Sequence, residues 1–226
     1  MIPIVDADEE LLGTLIAAAR FGRAGVITDR LRARYDEEWD DPLAGFPYAL
    51  AMFSLLLSGR EDFLEQFNYT EIIETLSDLL YHEPDHWLGR YLRIHTRTLL
   101  PADGEHRQYL AAERAKAAAD ASELIERQSR AAWQPWFACS YLMAARLEWQ
   151  SDRQDRDQVA TLVRAATARP RAPVRFRALG GVLRIAFAWY CDQPELPERD
   201  QVRATMDNLF PTYATARPRE RAGDAA

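Results

Sequence analysis

The residues of this chain best suited to chemistry are its four histidines, His82, His86, His95 and His106, which fall within 25 residues of one another in a sequence of 226. Two of them lie in HEPDH, residues 82–86, which matches the pattern HExxH. On a helix that pattern sets two imidazoles one turn apart on a single zinc ion and leaves the glutamate as the base of a hydrolase. Gly89 even falls at the glycine of the longer HExxHxxGxxH pattern, but the third ligand position holds Leu92, and His95 lies further on at another angle around the helix. Pro84 is the stronger objection. Inside a helix, proline removes a hydrogen bond and clashes with the carbonyl four residues back, at about 3 kcal/mol, whereas the first helical position accommodates it. The sequence therefore predicts a helix that begins at Pro84, with His82 and Glu83 in the turn before it and no zinc hydrolase.

Other chemistry is hard to assemble. Cys139 and Cys191 are the only cysteines, too few for a disulfide framework or a cysteine metal site, and Cys139 in WFACSYLM reads as a small core residue. There is no glycine-rich phosphate loop and no Ser, His and Asp pattern. The run Asp36–Asp41 holds five acids in six residues without the regular ligand spacing of a calcium loop, so it reads as a solvated turn. No cofactor and no metal are expected, and the chain leans away from being an enzyme.

Charge is more informative. The net formal charge of -7 argues against nucleic acid as a partner. Residues 1–85 carry 18 acids and 6 bases, residues 86–191 carry 10 acids and 17 bases, and residues 192–226 carry 7 acids and 5 bases. A basic block thus lies between acidic ends. Within it His86, Arg90, Arg93 and Arg97 recur at helical spacing and form one stripe, while Arg164, Arg169, Arg171, Arg175, Arg177 and Arg184 occupy residues 158–191 without one acid. Arg177 and Arg184 are seven apart and share a face. Two readings stay open: these arginines pair with the acidic N-terminal helices, or they present forks to carboxylate or phosphate groups of a partner.

The elements that would carry them are helices. Apolar spacing gives helices from Asp8 to Gly22, from Val26 to the break at Pro42, and through FPYALAMFSLLL, which is apolar all round and so should be buried on several sides. A short piece surrounds Phe63 and Phe67. Asn68 with Glu71 predicts a capping box for the next helix, and Trp87 to the stop at Pro101 another. A long alanine-rich helix runs from Gly104 to Arg130, with Leu110, Ala117 and Leu124 spaced by seven. Apolar lines on two sides of residues 136–149 predict a sandwiched helix; three more follow, one ending before Pro170, one over 173–190 with Gly180 and Gly181 inside it, and a last one near 197–210. No apolar run approaches the roughly 20 residues of a membrane span, and the acidic start MIPIVDADEELL lacks a signal peptide's basic region, so a cytoplasmic protein with no membrane partner is expected. The expected organisation is all-α, about ten helices in one array over residues 1–210, with a disordered tail at 211–226.

The stretch LMAARLEWQSDRQDRDQVATLVRAATARP resembles a tetratricopeptide repeat, with Trp149 as the first-helix aromatic, Leu162 and Ala165 on the second helix and Pro170 closing the unit. EIIETLSDLLYHEP followed by DHWLGRY looks like the end of one unit and the start of the next. Together these cover about a third of the chain. The resemblance implies an antiparallel helix-hairpin array coiled into a right-handed superhelix, and a non-catalytic scaffold. On that basis the expected function is an adaptor that binds an acidic protein or peptide through His86, Arg90, Arg93, Arg97, Arg175, Arg177 and Arg184, with a homodimer possible because acidic and basic segments could pair between chains. Two alternatives come from other classes: a small bacterial enzyme or biosynthetic accessory protein with a ligand pocket between helices, and a toxin-neutralising immunity-type protein that uses its acidic N-terminal third.

Overall fold

The computed structural model describes residues 1–38, 40–41, 43–57, 66–100, 107–151, 154–169 and 172–211. Pro42, Gly59, Phe63, Pro101, Gly104, His106, Pro170, Arg171 and the tail 212–226 lie outside the described residues. The protein is all-α, with ten helices among the described residues: α1 (Asp6–Ala19), α2 (Ala24–Glu37), α3 (Gly45–Leu57), α4 (Gln66–His82), α5 (Trp87–Leu99), α6 (Arg107–Ser129), α7 (Phe137–Trp149), α8 (Arg156–Thr167), α9 (Arg177–Cys191) and α10 (Arg199–Leu209). None of the described helices is long and apolar enough to cross a membrane.

Local signals explain most boundaries. Asp155 caps α8, its carboxylate accepting from the amides of Asp157 and Gln158 at 3.0 Å each. Gly22 has φ 68° in the turn that separates α1 from α2, where a side chain would be strained. The expected capping box at Asn68 and Glu71 does not form, because α4 already begins at Gln66 and carries both residues inside it. Glu71 instead accepts a 2.7 Å hydrogen bond from the Tyr48 hydroxyl and pairs with Arg32 at 3.4 Å.

Helix spacing could not supply the path of the array. Each helix from α1 to α7 packs on the next, and α9 packs on α10, which also meets α8; the odd-numbered helices touch one another in a cycle: α1 on α3, α3 on α5, α5 on α7, α7 on α9, and α9 back on α1. The even-numbered helices pack outside this inner ring. Ring and cation–π contacts show that α3, α5, α7 and α9 point the same way. Their amino ends gather through Phe46 and His86 (4.5 Å between ring centroids), Trp87 and Phe137 (6.2 Å), and Trp136 and Phe176 (5.7 Å). Towards their carboxyl ends, Phe53 meets His95 at 5.4 Å and the Arg146 guanidinium lies 5.0 Å over Trp189.

Closure depends on α1. Its Glu9 carboxylate accepts from the amides of Ala178 and Leu179 at 2.5 and 2.8 Å, so it caps α9 across 169 residues of chain. Those are amides that a helix leaves without internal partners. Gly13 lies on the same face, where a Cβ would make an ordinary 4.0 Å contact with the Ala178 side chain. Residues ahead of α1 run across the amino end of the ring, where the Ile2 amide donates to the Asp85 carbonyl at 2.8 Å. One apolar core extends from Ile4 to Phe210, filled by α3, α5, α7 and α9.

Candidate functional site

HEPDH spans the junction between α4 and α5. His82 is the last residue of α4 and exposed, and Glu83 to Asp85 form the turn. The helix begins at Trp87, three residues later than the proline rule predicts, because His86 takes the cap position: its Nδ1 accepts the Gly89 amide at 3.0 Å. That bond needs the lone pair on Nδ1 and leaves the proton on Nε2, so the neutral ring keeps no lone pair for a metal. Burial against Phe46 pushes its pKa down to about 4. Among the described residues no cluster of three or more His, Cys, Asp or Glu could hold a metal ion.

The arginine stripe of α5 faces α6. Asp120 accepts from Arg90 at 3.2 Å, from Arg93 at 2.6 and 2.9 Å, and from Arg97 at 2.5 Å. Arg90 also meets Glu123 at 2.7 Å, and Arg97 meets Glu113 at 2.9 Å. Three guanidiniums thus face three carboxylates between two helices, with Arg90 4%, Arg97 8% and Asp120 6% exposed. Arg93 adds the Ser77 hydroxyl at 3.1 Å and Arg90 the Pro84 carbonyl at 2.9 Å, which ties the network to α4 and its turn. The pairing acids come from α6, inside the basic block itself, where a regional charge count hides them. Buried charges of this kind are tolerated only when paired and hydrogen-bonded.

The three remaining sequence-derived arginines lie on or just before α9. Arg177 is exposed and Arg184 half-buried, and both have interactions within the chain. Arg175 is exposed, pairs with Asp6 at 3.2 Å, and lies 4.7 Å over the Phe176 ring. Arg175 also lines a cleft. At the amino end of the ring two adjoining recesses of about 220 and 460 Å³ share Pro3, Gln134 and Trp136, and the larger is also walled by Pro135, Pro173 and Arg175. Trp136 is 6% exposed, and its indole N–H is buried without an acceptor. As the N-cap of α7 it supplies no side-chain bond to that helix, whose first turn carries no acid. Of the first amides of α7, Phe137 donates to the Gln134 carbonyl and Cys139 to the Trp136 carbonyl, both at 3.0 Å.

Two buried groups at the other end of the ring escaped the sequence analysis. His95 is fully buried between Phe53 and Tyr91, and neither ring nitrogen has a partner. Arg146 of α7 is 7% exposed, its Nε is buried without a partner, and it forms no ion pair among the described residues. Burial draws its pKa down; the phenol of Tyr91 opposes that and Arg114 adds to it, and no carboxylate among the described residues takes part. His95 is driven down to about 3, first by burial and then by Arg146. The signal was present in LMAARLEW: Arg146 stands four residues after Leu142 and three after Met143, on a face that is otherwise core.

No family model, curated protein sequence or solved structure matches this chain.

Proposed function

We propose that this protein is a non-catalytic interaction module that binds an acidic, extended peptide segment of a partner protein in the cleft at the amino end of the helical ring. The observation that carries this reading is Trp136, whose buried indole N–H lacks an acceptor at the wall shared by both recesses. A buried donor left unpaired costs about 1–3 kcal/mol, so a peptide carbonyl that satisfies it gains more than at an exposed position. Pro3, Pro135 and Pro173 give apolar, preformed walls for an extended segment, and Gln134 offers an amide for its backbone. Arg175 sits at the rim; its pairing with Asp6 is exposed on both sides, and such a pair contributes little, so exchange of Asp6 for a partner's carboxylate is easy. Basic character at this rim, rather than along the whole basic block, is what favours an acidic sequence.

The test is a calorimetric titration of the protein with pools of extended octapeptides, one rich in Asp and Glu and one rich in Lys and Arg. The acidic pool is expected to bind more tightly. Arg175→Glu should weaken it at least about tenfold and Trp136→Phe, which keeps the ring but removes the N–H, by a similar factor. Affinity for the acidic pool should also fall with salt. Equal binding of both pools, or wild-type affinity in both variants, removes the reading.

A further inference from the structure

We propose that the carboxyl end of the ring holds a second, separate binding site, for a small organic carboxylate, with Arg146 as its cation and His95 and Trp189 as its walls. The argument begins with a charge imbalance. The other buried guanidiniums, Arg90 and Arg97, are matched by Asp120, Glu123 and Glu113, so this sequence can supply acids to buried arginines where the fold calls for them. For Arg146 it supplies none among the described residues: the charged or polar groups that act on it there are Tyr91 and a second cation, Arg114. The Arg146 Nε is buried with no acceptor among those residues, which leaves a hydrogen bond unmade in the interior.

The surroundings are those of a carboxylate site. The Arg146 guanidinium carbon lies 5.0 Å over the Trp189 ring, a cation–π contact that uses none of its N–H donors and leaves the buried Nε for a ligand. His95, neutral because it is fully buried, carries one N–H donor that no group among the described residues accepts. One carboxylate lying between the two would accept from Nε of Arg146 and from the imidazole, and so would satisfy orphaned groups on α5 and α7 together. A single buried positive charge calls for a single negative one, which favours a carboxylate over a phosphate dianion. The flanking Phe53, Tyr91 and Trp189 rings suit an apolar or aromatic body on that acid. Arg146 is 7% exposed rather than sealed, so its fork can be reached from outside the ring. The site shares no residue with the amino-end cleft, and the two stand or fall separately.

Thermal unfolding of the full chain in a chloride buffer, with sodium benzoate, sodium acetate or inorganic phosphate added, tests this directly. Benzoate in excess should raise Tm by about 3 °C or more, by linkage, with acetate weaker and phosphate without effect. Arg146→Met removes the unmatched charge while keeping an unbranched apolar body. It is expected to melt above the wild type in chloride alone and to give no response to benzoate. The site is refuted if no carboxylate moves Tm, if Arg146→Met responds as the wild type does, or if phosphate protects as well as benzoate. Should Arg146→Met fail to fold, Arg146→Lys decides, because it keeps the charge without the fork. Benzoate affinity at least about tenfold lower supports the site, and unchanged affinity overturns it.

Discussion

His86 and His95 show what a buried imidazole does when it is not a ligand. Both are held neutral by burial, with pKa values near 4 and 3, whereas the unfolded chain takes up the same protons near 6.5. Between those limits the unfolded state binds more protons, so stability is complete above about pH 6.5 and drains away as pH falls toward 4 and then 3. His86 accounts for a loss of about 3 kcal/mol over that range and His95 for about 5 kcal/mol. His95→Phe should therefore flatten the acid limb of a urea-midpoint profile between pH 6.5 and 3; an unchanged limb would mean that His95 is protonated in the folded protein. Asp120 is the other decisive residue, since three guanidiniums depend on it. Asp120→Asn should cost about 3–5 kcal/mol in urea unfolding, as removal of one member of a buried ionic cluster does, and a loss under about 1 kcal/mol would mark the network as surface-like. Sequence spacing found the arginines of this network because i, i+3 and i+4 positions share a face. It could not find their partners, since nothing in a one-dimensional pattern says that Asp120, thirty residues from Arg90, lies opposite. It missed Arg146 for the same reason: an unmatched charge is visible only once every potential partner has a place.

The helices themselves were readable. Spacing, proline and glycine placed ten helices, and the apolar all-round character of residues 45–57 correctly marked α3 as buried on several sides. Errors clustered at caps. Pro84 looked like a helix start, yet His86 begins α5, because an imidazole accepting an amide three residues on is a rarer cap than the Ser, Thr, Asp and Asn that sequence rules expect. Gly89 makes that cap fit: a Cβ there would come within 2.7 Å of Leu79 and 3.0 Å of the His86 ring. Glu9 is a cap of another kind, given by one helix to another. Glu9→Ala should lower stability by about 1–2 kcal/mol. The loss should appear locally too, as faster hydrogen exchange at the amides of Ala178 and Leu179 than at the buried middle of α9; protection equal to the wild type would show that α9 holds its own start.

At the scale of the molecule, α1 has two neighbours in the inner ring where the end of an open stack would have one. In a linear array a terminal repeat contributes roughly its own stability and a single interface. Here deletion of residues 1–23 bares apolar faces of both α3 and α9. The truncated chain is expected to lose its single cooperative thermal transition and to self-associate in sedimentation measurements. A truncated protein that stays monomeric and melts in one step would show that ring closure adds little. Hairpin periodicity gave no hint of this path, because whether the first and last inner helices meet depends on small rotations accumulated over five hairpins rather than on any local motif. The 169-residue separation of Glu9 from the amides it caps also has a meaning during synthesis. At about 5–20 residues per second, α1 leaves the ribosome roughly 10–30 s before α9 is made, and through that interval one of its packing faces has no mate. A nascent chain paused before residue 177 should accordingly be held by chaperones that grip exposed apolar helices, and released once α9 emerges.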